Sequence, residues 1–155
     1  MPKETISDLT KFLEPYSEHI KELTFRLREF AWDLYPNCNE LIYDNYNALA
    51  FGWSLSDRQG DTFCSIAVLP KYVHFGFYRG TDIADPEKML LGKGNQYRYI
   101  LVKNTDEFPV KYIKTLLKEA HASSMAKVKD KKQIMQGATI TKSISPRKRR
   151  SPKNR

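Results

Sequence analysis

Apolar positions recur at helical spacing in the first quarter of the chain. Ile20, Leu23, Leu27, Phe30 and Leu34 follow one another at steps of three, four, three and four residues, which aligns them as one stripe on an amphipathic helix. Glu14-Pro15 fits the start of that helix, because the N–H that proline lacks has no partner in a first turn. Tyr35-Pro36 fits its end, since the residue before a proline avoids helical geometry. A shorter helical stretch over 7–13 precedes it. From Leu41 the period changes. Segments 41–44, 49–55, 62–69, 72–78 and 96–102 are short, rich in Tyr, Phe, Ile and Val, and separated by Asn, Gly, Asp and Pro, the pattern of strands.

Pro70-Lys71 is short enough to turn a hairpin. Leu69 then faces Tyr72, Ala67 faces His74 and Phe63 faces Tyr78, while Cys64, Ile66 and Val68 share the opposite, core-facing side with Val73, Phe75 and Phe77. Asp85-Pro86-Glu87 predicts a short helix to Leu91, with Asp85 as its cap and Gly92 as its stop. A final helix begins near Pro109 and carries Val110, Ile113, Leu116, Leu117 and Ala120 on one side. Strands flanked by helices predict an α+β fold: a single antiparallel sheet with helices packed on one face. The stripe from Ile20 to Leu34 is expected to cover Ile66, Val68, Phe75 and Phe77.

Charge divides the chain. Residues 126–155 hold 11 of the 26 Lys and Arg but one of the 18 acids, a net +10, which leaves 15 against 17, a net −2, in residues 1–125. All 19 aromatic residues lie at or before Tyr112. The division predicts a folded domain over 1–125 and a disordered basic tail over 126–155, which lacks side chains to offset its ordering entropy. No apolar run approaches the ~20 residues of a membrane helix, and Met1-Pro2-Lys3-Glu4 lacks the pattern of a signal peptide, so a cytoplasmic location is expected. Cys38 and Cys64, 26 residues apart, show neither a disulfide framework nor a zinc spacing and read as reduced thiols.

The order of these signals resembles the YdhG-like domain family, a domain of unknown function. Carrying the resemblance are Leu27-Arg28-Glu29, Tyr35-Pro36 followed by Glu40-Leu41-Ile42-Tyr43, Leu69-Pro70-Lys71-Tyr72-Val73, Asp85-Pro86 leading to Leu90-Leu91-Gly92-Lys93-Gly94, and Tyr97-Arg98-Tyr99-Ile100 before the last helix. It spans roughly residues 8–120. Asp44-Asn45-Tyr46-Asn47 stands where the family usually has a Gly and then a Pro. The resemblance implies a compact α+β domain and, as described for some members, a frataxin-like role in binding iron and carrying it toward an iron-cluster assembly partner.

Three groups of side chains carry candidate chemistry. Glu14, Glu18, Glu22, Glu29 and Asp33 fall within one arc of about 100° opposite the apolar stripe. Such oxygen ligands could hold iron weakly, as the resemblance implies, and the alternative is a solvated helix face. Phe25 and Trp32 fall on the outer side of the same helix beside Lys21 and Arg28, to meet the N-terminal helix or a partner. On the strands, Phe63, Tyr72, His74 and Tyr78 share the face away from the core, with Tyr97 or Tyr99 and Tyr43 or Tyr46 as neighbours. Aromatics around one histidine suit a small-molecule or peptide site, or simply a hydrogen-bonded structural histidine.

The tail carries two Ser-Pro-basic units, Ser145-Pro146-Arg147-Lys148 and Ser151-Pro152-Lys153-Asn154, around Arg149-Arg150, and its Lys142, Arg147, Lys148, Arg149, Arg150 and Lys153 could engage nucleic acid or another polyanion, in the DNA minor groove or by charge alone. No phosphate loop, nucleophile elbow or His-Glu-x-x-His occurs, Gly92-Lys93-Gly94 reads as a turn, and a Cys64–His74 dyad is split between the two faces of the sheet. The chain is expected to be a binding or carrier module and not an enzyme, or alternatively a nucleic-acid-associated accessory protein tethered through its tail.

Overall fold

A computed structural model describes residues 7–45, 48–128 and 137–144. Helix α1 (Ser7–Leu13) leads through a turn into α2 (Glu18–Leu34), which starts at Ser17, whose hydroxyl accepts the Ile20 N–H at 3.2 Å. This cap sets the start of α2, so Pro15 lies in the preceding turn and not at the first helical position. Six strands follow: β1 (Asn39–Asp44), β2 (Leu49–Ser54), β3 (Thr62–Val68), β4 (Val73–Phe77), β5 (Arg98–Val102) and, after α3 (Val110–Lys127), β6 (Thr139–Ile144). They form one sheet in the order β5-β4-β3-β2-β1-β6. Strands β1 to β5 pair antiparallel, and β6 adds to β1 in parallel.

The predicted α+β class holds, as does the hairpin: Ala67 faces His74, the Leu69 N–H donates to the Tyr72 carbonyl at 3.0 Å, and Tyr78 bonds Phe63. Ile66, Val68, Val73, Phe75 and Phe77 are wholly buried beneath α2 and α3, with Ile20, Leu23 and Leu27 of the apolar stripe. Phe30 and Leu34 are partly buried, and Phe30 meets Phe75 edge-on at 5.9 Å.

The sheet is not purely antiparallel as expected, because β6 makes it mixed, and four further expectations change. First, Trp32 is not on an outer face: it is wholly buried, edge-on to Trp53 at 6.2 Å, whereas Phe25 stays exposed. Thr24, Arg28 and Trp32, four residues apart, form a second buried ridge beside the apolar stripe. The Arg28 guanidinium donates to both carboxylate oxygens of Glu40 on β1, each at 2.7 Å, with both side chains buried. A paired charge can be buried where a lone one cannot, and polar residue types therefore hide a core ridge.

Second, residues 85–91 form no helix. The Asp85 carboxylate accepts the Met89 and Leu90 N–H groups at 3.1 and 2.9 Å, Lys88 takes a left-handed φ of 53°, and Leu91 bridges to Tyr99. Third, Phe63 leaves the face predicted for it. A bulge between Cys64 and Thr62, opposite Trp53 and Ser54, turns it to the helix side, where it packs on Tyr35 at 5.0 Å and His121 at 5.2 Å.

Fourth, the boundary after residue 125 cuts through α3, and the segment read as a disordered tail supplies β6. The Glu40 N–H donates to the Ala138 carbonyl at 2.8 Å, the Ala138 N–H donates to the Asn39 side chain at 3.0 Å, and the Thr139 hydroxyl donates to Glu40 at 3.0 Å. Residues 129–136 and 145–155 lie outside the described residues.

Candidate ligand-binding site

On the face away from the helices, paired positions run across the sheet in rows. One row is Tyr43, Ala50, Ala67, His74 and Leu101, and the next is Leu41, Gly52, Ser65, Gly76 and Tyr99. The centre of both rows consists of side chains that end at or near Cβ, and large side chains stand only toward the margins. The result is a trough of about 240 Å³ bounded by Tyr43, Gln59, Thr62, His74, Tyr78 and Tyr97 above a floor that includes Ala50, Gly52, Ser65 and Ala67.

Gly76 is required here by close approach. A Cβ at this position would run into the Tyr97 ring, and the ring lies against that strand, where the Tyr97 hydroxyl shares a hydrogen bond with Ser65. His74 is covered on both faces, by Tyr72 at 5.5 Å and Tyr99 at 3.9 Å, with the rings within 13° and 16° of parallel. Only its edge is left to meet a ligand.

The electrostatics of the trough oppose charge of either sign. Burial, assisted by Tyr78, raises the Tyr43 phenol above its ordinary value. Burial, with a smaller push from Tyr99 and against the Ser65 hydrogen bond, takes Tyr97 to about 12. Burial also lowers the His74 imidazole, which favours its neutral form. The Tyr43 hydroxyl and the Thr62 hydroxyl are both buried without a hydrogen-bond partner, a costly state. Thr62 itself is 3% exposed.

Of the residues expected to form a ligand face, His74 and Tyr78 line the trough, Tyr72 supports His74 from behind, and Phe63 is on the other side of the sheet. Tyr43 and Tyr97 take the neighbouring places, Tyr99 stacks on His74, and Tyr46 lies outside the described residues. Sequence reasoning missed Thr62, Gln59 and the small floor. The signal for the floor is present in Leu49-Ala50-Phe51-Gly52-Trp53 and Cys64-Ser65-Ile66-Ala67-Val68, where large inward residues alternate with small outward ones. Cys64 lies on the buried face opposite Phe77, so the dyad with His74 is absent.

The acidic residues do not converge. Glu14 lies in the turn before α2, Glu18 pairs with Lys21 at 2.9 Å and Glu22 with Arg26 at 3.4 Å, while Glu29 and Asp33 are exposed further along the helix. Among the described residues no three His, Cys, Asp or Glu side chains are grouped so that they could hold a metal ion. Lys142 sits in β6 and its ammonium donates to the Asp57 carbonyl at 2.9 Å. Arg147, Lys148, Arg149, Arg150 and Lys153 lie outside the described residues. Among the described residues no helix is long and apolar enough to cross a membrane.

No family model, no curated protein and no solved structure matches the chain.

Proposed function

We propose that this chain is a binding module that holds a small molecule in the trough on the open face of its sheet, acting as a binder or carrier and not as a catalyst. The observation that carries the reading is the pair of buried, unpartnered hydroxyls of Tyr43 and Thr62 at a concave, aromatic-framed surface. Buried polar groups are nearly always hydrogen-bonded, and an exception in a cleft points to a missing partner. Binding is favoured over catalysis because burial favours the neutral forms of Tyr43, His74 and Tyr97 and the thiol of Cys64 is on the opposite face.

A thermal-shift screen of the full chain against a small-molecule library tests the reading, since any ligand of the folded state raises its melting temperature. The same screen on Ala67→Leu, which fills the floor, is the control. Stabilising compounds that lose their effect in this variant are expected. Compounds that act equally on both proteins would place the binding site elsewhere.

A further inference from the structure

We propose that the trough selects an uncharged, flat molecule of one or two rings with a hydrogen-bonding edge, and rejects ionised molecules of the same shape. This rests on the reading above that the trough is a binding site. Size comes first: about 240 Å³ is below the roughly 300–1,000 Å³ typical of sites for drug-sized ligands. Flatness follows from the floor. Tyr43 on β1 and His74 on β4 are separated by β2 and β3, which at ~4.8 Å per strand leaves about 14 Å between their backbones. Across that gap Ala50 and Ala67 rise no further than Cβ, and a ring can lie against them.

The polar groups then define the edge. The Tyr43 and Thr62 hydroxyls are closed off and unpartnered in the ligand-free chain, and each can donate and accept once a ligand edge parts the trough wall. His74, sandwiched between Tyr72 and Tyr99, presents a ring nitrogen and not a ring face. This set matches an amide, a lactam or a neutral ring nitrogen. An ionic ligand would lose its hydration without meeting an opposite charge, because among the described residues no lysine, arginine, aspartate or glutamate lines the trough. The same environment resists ionisation of the Tyr43 and Tyr97 phenols and the His74 imidazole. Nearby charges are engaged elsewhere: Asp61 accepts from Ser56 at 2.7 Å, Arg79 donates to the Gly60 carbonyl at 3.1 Å, and Lys142 to the Asp57 carbonyl at 2.9 Å.

The test is an NMR titration of the full chain, at neutral pH, with four probes of nearly equal size: benzamide, benzoate, benzylammonium and cyclohexanecarboxamide. Benzamide is expected to saturate at millimolar affinity, about what so few atoms can supply, and to shift resonances around Thr62 and Ala67. Benzoate and benzylammonium should bind at least about tenfold more weakly for want of a counter-charge, and the non-planar amide should also be weaker. Ala67→Leu should erase the benzamide shifts. Tyr43→Phe with Thr62→Val keeps the shape of the wall and should weaken benzamide several-fold, which separates lost hydrogen bonds from any misfolding of the leucine variant.

Comparable affinity for the neutral, anionic and cationic probes, all lost in Ala67→Leu, would overturn the selectivity while leaving the trough as a site. Benzamide shifts that survive Ala67→Leu and the double variant, or no shift with any probe at its solubility limit, would overturn both the selectivity and the binding reading.

Discussion

The two faces of the sheet are made from alternate residues of the same strands, yet they obey different rules. In β2 the inward residues are Leu49, Phe51 and Trp53 and the outward ones Ala50 and Gly52; in β4 Val73, Phe75 and Phe77 point in, and His74 and Gly76 point out. An antiparallel sheet covered on one side usually turns solvated polar residues to the other. Here the centre of the open face carries no charge and little side-chain volume, and aromatic residues stand around it. The covered face holds large apolar side chains with the buried Arg28–Glu40 ion pair at its β1 edge. Stability is concentrated on one side, which leaves the other free to vary in shape.

The largest effect that would break this comparison lies at the ion pair. Glu40→Ala leaves the Arg28 guanidinium buried without its carboxylate and removes the acceptor of Thr139, so a loss of about 3–5 kcal/mol is expected. Arg28→Met combined with Glu40→Leu should recover most of it, because an apolar pair of similar volume is often as stable as the ion pair. Urea unfolding of the three variants measures both. A double variant as unstable as Glu40→Ala would mean that the hydrogen bond to β6, and not the loss of the Arg28–Glu40 pair, dominates.

Leu27→Ala comes next. The side chain is 2% exposed in the core cluster, and its loss should cost about 2–5 kcal/mol, the range for a buried leucine. The result to set beside it is Ala67→Leu on the open face, which adds volume over a trough and should change stability by less than about 1.5 kcal/mol. Equal penalties from the two substitutions would erase the contrast between the faces.

The covered face was largely legible in the sequence, because two periods carry it: the helical recurrence from Ile20 to Leu27 and the alternation through Ile66, Val68, Phe75 and Phe77. What was hidden had physical disguises. Arg28 and Thr24 share the ridge of Trp32, and nothing local announces that Arg28 will meet a carboxylate 12 residues away. Thr139-Ile140-Thr141 alternates β-branched residues as a strand should, but it stands in a segment rich in basic residues, and the partners that order it are 99 residues distant. The bulge that turns Phe63 inward depends on pairing with Trp53 and Ser54. Of the residues that bound the candidate site, His74 and Tyr78 were visible in the sequence, with Tyr43 and Tyr97 among the alternatives for their neighbours; Thr62 became visible only when its hydroxyl proved to be buried and unpartnered.

Each face also contributes one histidine to the pH dependence of stability. Burial lowers the imidazoles of His74 on the open face and His121 on the covered face from an ordinary 6.5. The fold therefore favours their neutral forms. That contribution is complete above pH 6.5 and is lost as pH falls through the lowered folded values. At the alkaline end burial raises Cys38 from 9.0 to about 12, a contribution complete below 9.0 and lost as pH climbs toward 12. Melting temperature should form a plateau between these limits and fall on both sides. Replacing either histidine with phenylalanine should flatten the acid limb, and an acid limb unaltered in both variants would remove the histidines as its cause.

The smallest effect is the most telling about the open face. Removing a hydroxyl that has a good buried hydrogen bond destabilises a protein by about 1 kcal/mol, whereas removing one that is desolvated and unpartnered is neutral or stabilising. Thr62 is 3% exposed with its hydroxyl unsatisfied, and Thr62→Val keeps the branched shape. In the ligand-free chain this substitution should leave stability unchanged or raise it by up to about 1 kcal/mol, and Tyr43→Phe should behave alike. The contrast is Thr139→Val, where the lost hydroxyl bonds Glu40 at 3.0 Å and the expected result is a loss of about 1–2 kcal/mol. If Thr62→Val were as damaging as Thr139→Val, ordered water would already satisfy the open face, and a ligand there would have to displace it at a loss of affinity. If it is neutral, the Thr62 hydroxyl has no partner in the ligand-free chain, as the binding reading requires.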